Sequence, residues 1–391
     1  MAPLMWRTLN INRKPKFTNL HDRHRIVPFI RELHMAPLHH VVDSFHLFED
    51  PHHTDNFLPE NQLRSLKFDV AIPVGTLHHL LRRQGKLRSL SFGLKLPRDK
   101  GTPIPAVDLI IGDELALKAL AGLKEMVVTI PGYTESLFRN HGHLIRRSLR
   151  VENLVIRCVG YQWTADAYVD GLFGSHPGFH PLRPPQRLDH IETLSLDRLP
   201  LAGPQDAFMQ FIDFSRLKRL DIVECDRIAS FLQALADAFL QGGCNLKILR
   251  IDRDRTVENR ERGPQELTAI NALLGSFSGL TQLVVNTGEA NLIDKSSITH
   301  HGPSLRLLSV WGQPIGKWKS HDYYENDDLA AIVDSCPKLH TLCLSLRPIF
   351  VQRLIDEGKN FSIGHGTDLD TSLVGAACAF THHYSLQRDR K

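Results

Sequence analysis

The residues of this 391-residue chain best able to do chemistry are its 22 histidines and six cysteines. Zinc is held where four neutral imidazoles or thiolates converge. The histidines fall in pairs: His39-His40, His52-His53, His78-His79, His300-His301 and His382-His383, with His21 and His24 one turn apart. A pair does not complete a coordination shell, H-E-x-x-H is missing, and no Cys/His set has a four-ligand spacing. Surface or capping places suit the pairs better, so no metal and no cofactor is expected. The cysteines stand at 158, 225, 244, 336, 343 and 378, with no C-x-x-C among them. That pattern fits reduced thiols in a cytoplasmic or nuclear protein better than a disulfide framework.

Nucleophile motifs fail in detail. Gly275-Ser276-Phe277-Ser278-Gly279 and Gly174-Ser175-His176-Pro177-Gly178 both lack the central serine of G-x-S-x-G, and both suit turns. No P-loop or G-x-G-x-x-G occurs. The formal net charge is +4, too small to demand a nucleic acid or an anionic membrane as partner. The charge run from Arg250 to Arg262 mixes signs and reads as a solvated loop. No apolar run approaches the about 18 residues of a membrane span. The expectation is a non-enzyme with no nucleic-acid and no membrane partner.

The elements that must position any functional residue are strands, because one pattern recurs. Leu217 to Cys225 reads L-x-x-L-x-I-x-x-C. Copies start at Ile30, Leu63, Leu87, Leu123, Val151, Ile191, Leu246, Leu280, Leu305 and Leu339, at intervals of 24 to 40 residues. Apolar residues at places one, four and six are not a helix stripe; they mark a short strand reached through one apolar residue. Trp6–Ile11 also alternates as a strand. Helical stripes lie between the copies: Thr76–Leu81, Asp113–Leu120, Arg227–Leu240, Glu266–Leu274 and Asp327–Val333. Arg98–Pro105, Gly171–Pro185 and Arg253–Pro264 read as loop insertions.

Such a unit cannot bury its apolar face alone, so copies must stack. The fold expected is α/β, an irregular leucine-rich-repeat solenoid: an open arc with parallel strands on the concave face and helices on the convex face. Residues 1–60 form a strand-containing lead-in, 61–346 the array and 347–391 an irregular tail. A strand as early as residue 6 suggests an array that starts without a cap, or missing upstream sequence. A (β/α)8 barrel is the competing fold, and would make the strand acids of an enzyme catalytic. Barrel strands do not need the leucine three residues ahead of each alternating pair.

Several phrases resemble a known family. Cys336-Pro337-Lys338-Leu339-His340-Thr341-Leu342-Cys343-Leu344 resembles the start of the cysteine-containing leucine-rich repeat, and Leu217–Cys225 resembles its L-x-x-L-x-L-x-x-C part. His301–Leu308 is similar to the H-G-x-S-L-R-x-L phrase of fungal F-box leucine-rich-repeat proteins, and Leu4–Ile11 to the segment that follows the F-box. The resemblance implies a protein-recognition scaffold, with substrate recognition in an SCF-type ubiquitin ligase as its specific form. No F-box is readable in the chain, so the resemblance does not extend to direct Skp1 binding. A diverged repeat protein without a ligase role fits the same phrases.

Places five and seven of each copy point away from the core, onto the open sheet face. The partner-binding candidates on that face are Arg157, Asp197, Asp221, Val223, Arg250, Asp252, Asn286 and Trp311. The face has no run of one sign: Asp197, Asp221 and Asp252 give an acidic tint in the middle, with Arg157 and Arg250 beside them. Trp311 is either an exposed anchor or packed beneath a loop with Trp318, Tyr323 and Tyr324.

Overall fold

The structure, a computed structural model, describes residues 7–11, 30–35, 60–95, 107–132, 135–159, 172, 187–201, 205–253, 263–287, 292–312, 324–344, 362–365 and 384–387. They divide into two compact units. One comprises residues up to Leu199 together with Asp206–Asp213; the other holds Pro200–Gln205 and the chain from Phe214 onward.

The first unit is built on seven strands: β1 Thr8–Ile11, β2 Glu32–Met35, β3 Ser65–Pro73, β4 Ser89–Lys95, β5 Glu125–Ile130, β6 Asn153–Cys158 and β7 Thr193–Asp197. They pair in chain order, all parallel. Place four of the repeat stacks with itself in every step: Leu33, Leu66, Leu90, Met126, Leu154 and Leu194 are register neighbours, each at most 1% exposed. Burying a leucine-sized side chain stabilises by about 1.5–3 kcal/mol, and this column is the reason the pattern recurs. A second signature is in the backbone. The amides of places two and three both reach the place-two carbonyl of the preceding copy, as Arg88 and Ser89 do to Arg64 at 2.8 and 3.0 Å. Lys124 and Glu125 do so to Arg88, and Glu152 and Asn153 to Lys124.

Among the described residues the connections hold the helices α1 Val74–Arg83, α2 Asp108–Ile111, α3 Glu114–Ala121 and α4 Glu135–Arg147. α1 packs on α3, and α3 on α4. Asp113 caps α3 by accepting the Leu115 and Ala116 amides, and its other oxygen meets His78 Nε2 of α1 at 2.9 Å. The His78 hydrogen bond holds the Asp113 carboxyl below its ordinary pKa, against the opposing effect of burial. α4 is not among the helices that sequence periodicity predicts. Its inner stripe contains His141 among Leu137, Phe138, Leu144 and Ile145, and the segment as a whole is poor in apolar residues, with Arg139, Asn140, His143, Arg146 and Arg147 around the stripe.

The second unit repeats the plan. β8 Arg219–Val223, β9 Ile248–Asp252, β10 Gln282–Asn286, β11 Leu307–Trp311 and β12 Thr341–Leu344 are parallel and in chain order. β13 Ser362–His365 and β14 Tyr384–Gln387 follow, with β14 antiparallel to both β12 and β13. Gln205–Phe211 forms α5, most of which belongs to the first unit. Helices α6 Ile228–Gly242, α7 Gly263–Gly275, α8 Lys295–Thr299 and α9 Asn326–Ser335 pack each on the next. Each unit is therefore an α/β stack of the leucine-rich-repeat kind. The described strands run in sequence order and in neither unit does the first pair with the last, so the barrel does not form.

Two buried histidines fasten the stacks. In the second unit, His301 Nδ1 accepts the Leu280 amide at 3.5 Å, so Nε2 carries the proton and donates to the Leu274 carbonyl at 3.0 Å. Leu280 is place one of its copy and Leu274 ends α7, so the imidazole ties the next turn to both. In the first unit, His141 Nε2 accepts the Leu94 amide at 3.1 Å while Nδ1 donates to Leu137 O at 2.6 Å. Burial pulls both imidazoles down to about 4, and His300 beside His301 adds to the effect there. Gln84 does the same work for another copy: its Oε1 accepts the amides of Gln62 and Leu63.

Candidate partner-binding face

Strand alternation assigns places five and seven to the outward face, and the register sets them side by side. In the first unit Val127, Val155 and Ser195 are neighbours in one row, and Thr129, Arg157 and Asp197 in the next. All are half-buried except Arg157, which is exposed. Arg157 Nε donates to Asp197 Oδ2 at 2.5 Å, and Arg198 Nε lies 3.8 Å from the other carboxylate oxygen. Further along the same unit, His34 meets Asp69 at 2.7 Å and Lys67 lies 3.3 Å from it.

In the second unit the rows are Asp221, Arg250, Val284, Ser309 and Cys343, and then Val223, Asp252, Asn286 and Trp311. The structure brings these candidates together and joins their charges. Arg219 Nε donates to Asp221 Oδ2 at 2.8 Å, and Arg250 Nη2 to Asp252 Oδ2 at 2.7 Å. Asn286 Nδ2 donates to Asp252 Oδ1 at 3.0 Å and to the Arg253 carbonyl at 3.3 Å. Arg253 in turn pairs with Glu266 at the start of α7. Three arginines thus stand against three carboxylates, and the acidic tint expected from the aspartates is neutralised. Two side chains differ from the expected exposure: Asp221 is 7% and Asn286 5% exposed. The guanidinium of Arg219 reaches back over Asp221, and Asn286 is folded down by its bonds to Asp252 and Arg253. Asp221 Oδ1 has no hydrogen-bond partner among the described residues, so this carboxylate is desolvated on one side. Trp311 is half-buried.

Strand alternation alone does not single out Arg219, Arg253 or Glu266. The signal for the first is nonetheless legible: Arg219-Leu220-Asp221 and Arg250-Ile251-Asp252 are both R-x-D, and residues two apart on a strand share a face. Glu266 lies on a helix, and no strand periodicity points to it.

Elsewhere the chemistry is quiet. Among the described residues no group of three or more His, Cys, Asp or Glu is placed to hold a metal ion. Cys225 is buried at the strand-to-loop turn, and Cys343 is half-buried in β12. Burial pushes the Cys336 thiol up to about 11, so it is not a thiolate at neutral pH. Tyr324 is buried, its hydroxyl on the Ile293 carbonyl at 2.8 Å, whereas Trp318 and Tyr323 lie outside the described residues. So do the pairs His39-His40, His52-His53 and His382-His383 and most of the three insertions. No helix among the described residues is long and apolar enough to cross a membrane. No protein-family model matches the chain, and no curated protein matches its sequence.

Proposed function

We propose that this chain is a non-catalytic scaffold for protein–protein interaction that receives its partner on the outward face of the parallel sheets. One observation carries the reading. Places four and six are sealed against the helices, while the opposite face offers half-buried valines, Val127, Val155 and Val284, beside internally neutralised ion pairs. Charges already paired cost less to cover than unpaired ones would, and the half-buried apolar groups between them gain from being covered. The resemblance of 301–308 and 336–344 to F-box leucine-rich-repeat phrases supports the more specific role, substrate recognition within an SCF-type ubiquitin ligase. Direct Skp1 contact is not part of the proposal.

Affinity purification of the full chain with mass spectrometry tests it, run beside Val284→Arg/Ser309→Arg, two substitutions on the outward row. The expected result is a set of proteins held by the original chain and absent from the variant at an unchanged melting temperature. Recovery of Skp1 and a cullin in that set supports the ligase role. An identical set from both proteins sinks the face as the binding surface.

A further inference from the structure

The first unit carries a line of cations that the open face does not include. Place two of the repeat, just ahead of each strand, holds Arg7, Arg31, Arg64, Arg88 and Lys124 in five successive copies. The backbone puts them in strict register: the amide of each bonds to the carbonyl of the one before, at 2.7 to 2.8 Å. Neighbouring backbones in a sheet lie about 4.8 Å apart, so the row spans about 19 Å along the strand-start edge. Arg7, Arg64 and Arg88 are exposed, and Arg31 and Lys124 half-buried.

The side chains are held along the row. Arg64 Nη1 donates to the Lys86 carbonyl and Arg88 Nη1 to the Gly122 carbonyl, each at 3.1 Å, and each acceptor lies just ahead of the next copy. Lys247 makes the same reach to Gly279 in the second unit, at 3.4 Å. One Nη1 donor of each guanidinium is used in this way, and a guanidinium carries several more. The outer cations are matched, Arg7 by Glu32 at 2.9 Å and Lys124 by Glu152. Among the described residues Arg64 and Arg88 have no carboxylate partner. Glu125, the exposed neighbour of Ser89 in register, is the other acid along this stretch. Beyond Lys124 the row turns acidic, with Glu152 and Glu192 in register.

We infer that this edge is a docking site for a short acidic protein segment in extended conformation. Side chains rooted on backbones about 4.8 Å apart can bring their charges within a Debye length of about 10 Å of one another, and anions placed along the row offset the unmatched charge of Arg64 and Arg88. Guanidinium forks favour carboxylates in paired hydrogen bonds. The footprint sets the ligand: about 19 Å accommodates roughly six extended residues at about 3.3 Å each. A nucleic acid is disfavoured, because a continuous phosphate chain would run onto Glu152 and Glu192, and the row offers no aromatic platform for bases. The second unit's row, Lys218, Lys247, Thr281, Arg306 and His340, is interrupted by Thr281. This site is separate from the open sheet face, so failure of either leaves the other standing.

The test is fluorescence anisotropy on the full chain with a labelled hexapeptide of alternating Asp and Glu, and with a labelled single-stranded oligonucleotide of equal charge. The peptide is expected to bind, to weaken as sodium chloride rises from about 50 to about 300 mM, and to lose at least about tenfold in affinity in Arg64→Glu/Arg88→Glu. Arg64→Gln/Arg88→Gln, which removes charge without reversing it, should lose several-fold at an unchanged melting temperature. The inference is overturned if the peptide does not bind, if both double variants bind as the original does, or if the oligonucleotide binds more tightly than the peptide.

Discussion

Replacing His301 by leucine should lower stability at neutral pH and remove part of the protein's sensitivity to acid. His301 is 0% exposed, lies beside the Phe277 ring at 5.0 Å between centroids, and stays neutral down to about 4 in the folded chain. In the unfolded chain it takes up a proton near 6.5. Between those values the unfolded state binds the extra proton, so stability falls as pH falls, at about 1.4 kcal/mol per pH unit for one histidine. Across the window the decrease is about 3 kcal/mol. Leucine keeps the packing volume but leaves the Leu280 amide and the Leu274 carbonyl without their partner, which costs about 1–3 kcal/mol for each group. The variant should therefore be less stable than the original by about 2–6 kcal/mol at pH about 7.5. The gap should narrow by about 3 kcal/mol between pH about 7.5 and pH about 4, because only the original loses stability through this histidine. His141 in the first unit is untouched and keeps its own slope in both proteins. Urea unfolding followed by circular dichroism at a series of pH values measures the gap directly. A gap that stays constant or widens on acidification refutes the neutral, doubly bonded imidazole.

Gly302→Ala should destabilise by about 1–3 kcal/mol, as overpacked sites do, because its Cβ would collide with the Ser335 carbonyl at the end of α9; a lowered melting temperature checks it, and an unchanged one means the turn can shift. Asp113→Ala should cost about 1 kcal/mol by uncapping α3, and it also takes the carboxylate away from the His78 imidazole. Thermal melts read this change too, and adding His78→Ala to the variant should cost little more, since the two residues share one interaction.

The repeat was legible because its chemistry is local. Leucines at places one, four and six are needed in each copy whatever the partner copies are, so Leu63-Leu66-Phe68 and Leu217-Leu220-Ile222 announce their strands from spacing alone. The helices α1, α3, α6, α7 and α9 were legible for the same reason, since an apolar stripe at helical spacing is also a local property. α4 was missed because its apolar stripe is thin in a segment rich in Arg, Asn and His, and one of its core places is held by His141, whose partner is the distant Leu94 amide. The outward face was legible as a set of residues and not as an electrostatic surface. Asp221 and Asp252 read as acid, although Arg219 and Arg250 stand two residues ahead of them on the same strands and pair with them there; the reach of Asn286 across to Asp252 is what the register added.

The chain's pattern by itself determined the α/β repeat architecture and which residues line each side of a strand, since side-chain alternation and apolar spacing are properties of neighbouring residues. Only the tertiary structure decided which repeats stand side by side in register. That pairing converts single cations scattered 24 to 36 residues apart, from Arg7 to Lys124, into one continuous edge. It also buries His141 and His301 as neutral links between copies. Both outcomes depend on contacts between residues far apart in sequence, which no local spacing encodes.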